Sequence, residues 1–195
     1  MKKVLVICAV AVMLLCTYAS ASPVQYASQP WGSQLYESPA GSIGTEFIAN
    51  GNFTLSKLGI YDDGLDGLAV AHDVALFAMN GTVLASVTIN AGNGSPMAAD
   101  GYRWENARPV ALVQGTHYVV AAYYSTAQDF FRDQATIDPA FTLVAGLYHD
   151  DPSFLIPDTA YNTTGLFAAN LQIPEPATMT LLGLGGLSLL RRKRS

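Results

Sequence analysis

His72-Asp73-Val74-Ala75-Leu76-Phe77-Ala78-Met79-Asn80-Gly81-Thr82-Val83-Leu84-Ala85-Ser86-Val87-Thr88-Ile89 reads as two strands and the turn between them. In the second half Val83, Ala85, Val87 and Ile89 fall on one face, with Ser86 and Thr88 on the other, the two-residue period of a half-buried strand. Residues 72–79 form a second β-rich run. Asn80-Gly81 joins the two, and both residues tolerate the positive φ of a type I′ turn, so the stretch predicts a hairpin. Working outward, residues 53–61, 108–113, 116–124 and 141–148 also read as strands, separated by turn signals at Asp62-Asp63-Gly64, Gly92-Asn93-Gly94 and Gln114-Gly115. Residues 116–124 are apolar on both faces: Tyr118, Val120 and Ala122 alternate with Val119, Ala121 and Tyr123. A central strand covered on both sides has that pattern. No stretch between residues 22 and 172 carries a helical period. Short strands with frequent turns predict a single all-β domain, a β-sandwich of the jelly-roll variety.

Charge is segregated along the 195-residue chain. Six of the ten basic residues lie at the two ends, which leaves Lys57, Arg103, Arg108 and Arg132 against fourteen acids between residues 22 and 172, a formal −10. Such a field repels a phosphate backbone, so nucleic acid is not an expected partner. Both cysteines, Cys8 and Cys16, lie in an N-terminal apolar run. Its removal would leave no thiol for a disulfide, a metal or a nucleophile.

That run spans residues 4–16, follows a basic start at Lys2-Lys3, and precedes Ala19-Ser20-Ala21, the small-x-small pattern of signal peptidase sites. Residues 1–21 therefore read as a secretory signal peptide, with Sec-type export machinery and signal peptidase as partners and cleavage after Ala21. Bulky Leu15 in front of Cys16 argues against a lipoprotein. At the other end Ile173-Pro174-Glu175-Pro176 is a stiff, extended stretch that no helix can run through. Residues 177–190 are then apolar or small and precede Arg191, Arg192, Lys193 and Arg194. A helix of that length reaches about 21 Å, short of the roughly 30 Å hydrocarbon core, so snorkelling basic side chains or a thinned bilayer must make up the difference. The basic cluster keeps that end cytoplasmic, which puts the body outside.

Pro174-Glu175-Pro176, the Gly-rich segment Leu181-Leu182-Gly183-Leu184-Gly185-Gly186-Leu187 and the basic cluster Arg191, Arg192, Lys193 and Arg194 together resemble the PEP-CTERM sorting signal of Gram-negative, exopolysaccharide-producing bacteria. The resemblance implies recognition by an exosortase-type membrane protease, a temporary inner-membrane anchor formed by residues 173–195, and delivery of the body to the cell surface or extracellular matrix. Within the body, Leu58-Gly59-Ile60-Tyr61-Asp62-Asp63-Gly64, Asp73-Val74-Ala75-Leu76-Phe77, Tyr102-Arg103-Trp104 and Gly115-Thr116-His117-Tyr118-Val119-Val120 resemble a bacterial surface domain of unknown function. That likeness implies a sandwich similar to carbohydrate-binding modules and brings no catalytic residues.

Three groups of residues are candidates for a site. Asp62-Asp63-Gly64-Leu65-Asp66-Gly67 is an acidic, glycine-punctuated loop; Asp62, Asp63 and Asp66 supply oxygens of the kind a structural calcium ion takes, or else form a solvated turn. His149-Asp150-Asp151 is a second acidic corner, and the spacing of His72, His117 and His149 does not suggest zinc. Among the aromatics, Trp31 and Trp104 lead as stacking platforms for sugar rings, with Tyr36, Tyr123, Tyr124, Phe130 and Phe131 behind them; the competing role of any of these is core packing. There is no Gly-x-Ser-x-Gly elbow. The expected function is non-enzymatic, a surface or matrix protein associating with exopolysaccharide. The alternatives are a purely structural matrix protein, a calcium-stabilised adhesion module and a weak polysaccharide-active enzyme.

Overall fold

The computed structural model describes residues 23–35, 40–97, 100–126 and 128–174. The predicted signal peptide, with Ala19 and Ala21, lies outside the described residues, as do the segment predicted to form the short C-terminal helix, Glu175, Pro176, Arg191, Arg192, Lys193 and Arg194. Val24–Pro176 is a compact unit of its own. Its described residues form twelve strands and no helix: β1 (Val24–Gln25), β2 (Ala27–Leu35), β3 (Gly41–Ala49), β4 (Phe53–Tyr61), β5 (His72–Ala78), β6 (Val83–Ile89), β7 (Tyr102–Leu112), β8 (His117–Tyr124), β9 (Phe131–Ile137), β10 (Phe141–His149), β11 (Thr159–Asn162) and β12 (Ala169–Ile173).

The hairpin β5–β6 is the innermost of a nested set of antiparallel pairs. Outside it β4 pairs with β7, outside that β3 pairs with β8, and outermost β1 pairs with β12. Folded over, this long ribbon becomes two facing sheets. One has the order β1-β12-β4-β7 and the other β11-β10-β3-β8-β5-β6, where β10 and β11 extend the edge beyond β3. That is jelly-roll connectivity, so the predicted all-β sandwich is the fold observed. β2 and β9 form a separate two-stranded ribbon.

The hairpin stands at its predicted place, but its turn is of another type. The Gly81 amide donates to Ala78 O at 2.9 Å and the Ala78 amide to Thr82 O at 2.9 Å. Only Gly81 has a positive φ, +86°. Asn80 keeps a negative φ and uses its side-chain oxygen to accept from the Thr82 amide at 3.1 Å. The loop is thus three residues long, a type I turn closed by a glycine bulge, instead of the two-residue type I′ turn.

β8 is covered on both faces, as its composition requires. Tyr118, Val120, Ala122 and Tyr124 enter the main core between the sheets, with Tyr26, Phe47, Leu55, Leu58, Ile60, Leu76, Phe141, Phe167 and Leu171. Each such Leu or Phe stabilises the sandwich by about 1.5–3 kcal/mol on leaving water. Val119 and Ala121 face the other way into a second cluster with Ala75, Phe77 and Leu147, which Phe154 and Ile156 of the loop after β10 roof over. The Phe77 and Phe154 rings meet edge to face at 5.5 Å between centroids. Tyr61, Tyr102 and Trp104 make a third cluster on the outer face of the four-stranded sheet.

Candidate functional site

The acidic loop after β4 is held by arginines. Asp62 is 2% exposed and Arg103, at 3%, donates Nε and Nη2 to its Oδ2 at 2.7 and 2.6 Å. Arg103 also donates to Asn93 Oδ1 at 2.6 Å and to Ser95 O at 3.3 Å. The Gly67 amide closes the loop on the same Asp62 oxygen at 3.2 Å. Asp63 turns to another partner. Its Oδ1 accepts from Arg132 Nη2 at 2.7 Å and from Nε at 3.1 Å, and its Oδ2 from Gln34. Bonding to that carboxylate raises the Arg132 pKa above the ordinary guanidinium value. Burial, and then the Asp63 charge, push the Tyr61 hydroxyl up. Asp66 is exposed. The three aspartates proposed as a cation set therefore face three different surroundings. Among the described residues no group of three or more His, Cys, Asp or Glu side chains is placed to hold a metal ion.

The histidines are likewise dispersed, each on its own carboxylate: His117 on Glu46 at 2.6 Å, His149 on Asp158 at 2.9 Å and His72 on Asp129 at 2.8 Å. The His149-Asp150-Asp151 corner is an ordinary turn, in which Asp151 accepts from the Ser153 amide at 2.8 Å. His72 is fully buried between Tyr123 O (2.9 Å from Nδ1), Asp129 and the Tyr124 ring. Asp129 also accepts from the Ala69 and Val70 amides at 2.9 and 3.3 Å, which pins the segment between β4 and β5 to the chain entering β9. This clasp has no sequence signal, because its partners are 57 residues apart.

The two tryptophans part company. Trp104 is 4% exposed, and its ring lies over Gly59, where an added Cβ would stand 2.6 Å from an indole carbon. It has no open face to offer. Trp31 is 57% exposed on the β2–β9 ribbon, opposite Gln134. The register slips on both sides of it, between Ser28 and Trp31 and between Trp31 and Gln34, and such bulges re-aim a side chain. Arg132 ties this ribbon to the acidic loop through Asp63 and donates to Gly32 O at 3.3 Å. Asp133 accepts from the Ser33 amide at 2.7 Å. The result is an exposed aromatic face paired across the ribbon with Gln134, on a strand pair that Gln34 and Arg132 brace against Asp63. Of the other aromatics, Tyr124 and Phe131 are core residues, Tyr123 is half-buried against Phe154, Phe130 is half-buried, and Tyr36 lies outside the described residues.

The domain family described as Domain of unknown function (DUF4082) matches residues 27–168, from the start of the ribbon to the approach to β12. The chain belongs to this family. A PEP-CTERM protein-sorting motif matches residues 172–194. Just past the DUF4082 match, β12 ends at Ile173 and Pro174, the first residue of the Pro-Glu-Pro element, is exposed directly after it. The sorting motif thus starts at the last strand of the sandwich and marks an exported protein sorted to the cell surface through exosortase processing. No curated protein matches the chain. Among the described residues of this DUF4082 protein no helix is long and apolar enough to cross a membrane.

Proposed function

We propose that the body is a non-enzymatic matrix module that binds extracellular polysaccharide through the β2–β9 ribbon, with Trp31 as the stacking platform. The observation that carries this reading is the exposure of Trp31, 57%, opposite Gln134 on a ribbon that Gln34 and Arg132 brace against Asp63. The C–H groups of a sugar ring pack on such an aromatic face while neighbouring amides take its hydroxyls. The acidic body favours a neutral polymer over a polyanion. Before that, in this reading, Sec-type machinery exports the chain of a Gram-negative bacterium and signal peptidase cuts after Ala21. The tail then holds the body outside the inner membrane until an exosortase-type protease acts near Pro174, Glu175 and Pro176.

Co-sedimentation of the purified chain with exopolysaccharide from the source bacterium tests the binding. Saturable binding that falls at least tenfold in Trp31→Ala, with an unchanged melting temperature, is the expected result. Absence of saturable binding would leave a structural matrix protein whose partners are other proteins, and binding that Trp31→Ala leaves intact would refute the ribbon as the site.

A further inference from the structure

The outer face of the four-stranded sheet holds a group of buried polar atoms with no partner. Gln25 of β1 and Gln172 of β12 stand directly opposite each other in the antiparallel register, so their side chains leave the sheet on the same face, with Cβ atoms about 5 Å apart. Asp100, just before β7, joins them through Gln25. Gln25 Nε2 donates to Asp100 Oδ2 at 2.7 Å. Each of the three side chains is left with one buried oxygen that no donor among the described residues bonds: Gln25 Oε1, Gln172 Oε1 and Asp100 Oδ1. Gln172 is 5% exposed. Native proteins leave only a few buried polar groups unpaired, and each costs about 1–3 kcal/mol. Gln25 links the other two, Gln172 through the strand register and Asp100 through the hydrogen bond, and three orphaned oxygens on adjoining side chains call for an occupant that offers positive charge.

We propose that Gln25, Gln172 and Asp100 form a cation site of the calcium type, which joins the first and last strands of the body to the loop before β7. Two amide carbonyl oxygens and one carboxylate are hard oxygen donors of the kind calcium takes, with water completing its six to eight ligands. One negative charge on a partly covered ligand set suits the weak sites of extracellular modules, with Kd on the order of 10⁻⁴–10⁻³ M. The set owes nothing to the aspartates of the 62–67 loop, which are committed to arginines or to solvent.

Thermal unfolding of the full chain, in chelator and then in calcium raised stepwise above millimolar, reads the site. The wild type should gain about 5–10 °C in Tm once calcium is hundredfold above Kd, and titration calorimetry should count one ion per chain. Asp100→Asn and Gln172→Met should each abolish the gain. In chelator, Gln172→Met should melt at or above the wild-type temperature, because it deletes an orphaned oxygen without leaving a void. A purely packing role for Gln172 would instead lower Tm in both conditions. An unchanged wild-type Tm means that ordered water alone fills the site and overturns the proposal. So does a calcium gain that survives in either variant. Gln172→Met decides alone if Asp100→Asn fails to fold. Neither result bears on Trp31.

Discussion

Arg103→Met removes a charge from the most deeply buried ion pair of the described body while keeping much of the side chain's length. The Asp62 carboxylate, 2% exposed, loses both short bonds to the guanidinium and keeps only the Gly67 amide at 3.2 Å. Asn93 Oδ1 and Ser95 O lose a donor as well. Stranding a buried charge in this way costs about 3–5 kcal/mol, against the roughly 0–1 kcal/mol of an exposed pair. In a domain of this size that lowers Tm by about 6–20 °C at 2–4 °C per kcal/mol. Most of the cost belongs to the orphaned carboxylate, so Arg103→Met combined with Asp62→Leu should recover about half of it or more, a coupling near 2 kcal/mol. Urea unfolding followed by fluorescence reads the cycle, since Trp104 neighbours Arg103 in sequence and is buried. Arg103→Ala should fare worse than Arg103→Met, because it also removes the packed methylene stem. If Arg103→Met costs under about 1 kcal/mol, or the double variant simply sums the two single losses, the pair is not the clamp described here.

Two further outcomes follow from particular contacts. Gly59→Ala sets a methyl 2.6 Å from a Trp104 ring carbon; overpacking of that kind costs about 1–3 kcal/mol, and the displaced indole should shift its emission to the red. For Asp129, burial works to raise the carboxyl pKa, but bonds from His72 and from the Ala69 and Val70 amides outweigh it and hold the group below the usual carboxylate range. The unfolded chain therefore takes up this proton first, and the Asp129 contribution is complete above an unfolded pKa of about 3.9 and lost as pH falls through the lower folded value. Asp129→Asn should flatten the acid limb of a Tm–pH curve, and a limb that keeps its wild-type slope would refute the assignment.

What was legible in the sequence was whatever its neighbours in the chain decide. Asn80-Gly81 and the flanking alternation announce the hairpin, and with it the centre of the roll. The two apolar faces of β8 announce a strand inside a covered sheet. β4 is marked by its flanking turns, and residues 108–113 mark only the last part of β7, whose first half carries Tyr102, Arg103 and Trp104 into side-chain partnerships no period encodes. β3 escapes notice because Gly41, Ser42, Gly44 and Thr45 are buried by close contact with neighbouring strands instead of by apolar bulk. β9, Phe131-Arg132-Asp133-Gln134-Ala135-Thr136-Ile137, is polar along its middle because its partner is a ribbon and not the core. The acidic loop invites a cation from its composition alone. The arginines that meet its carboxylates come from 41 and 69 residues downstream, beyond the reach of local reading. Both tryptophans are equally good platforms on paper, and only the packing of Trp104 over Gly59 separates them.

The place of β12 in its sheet bears on when this protein can fold. β12 is the last strand of the body, yet it lies inside the sheet, between β1 and β4. Asn170 bonds both the amide and the carbonyl of Ala27, a contact that closes a loop of 143 residues. A chain threaded through a membrane N-terminus first delivers β1 at the outset and β12 at the end, so the four-stranded sheet stays open at its middle until nearly the whole body has emerged. Such long-range closure makes folding slow, and in the export route proposed above that delay would be useful. The chain would remain loose enough to be threaded, and the sandwich would lock only when the stretch bearing the sorting motif arrives behind it.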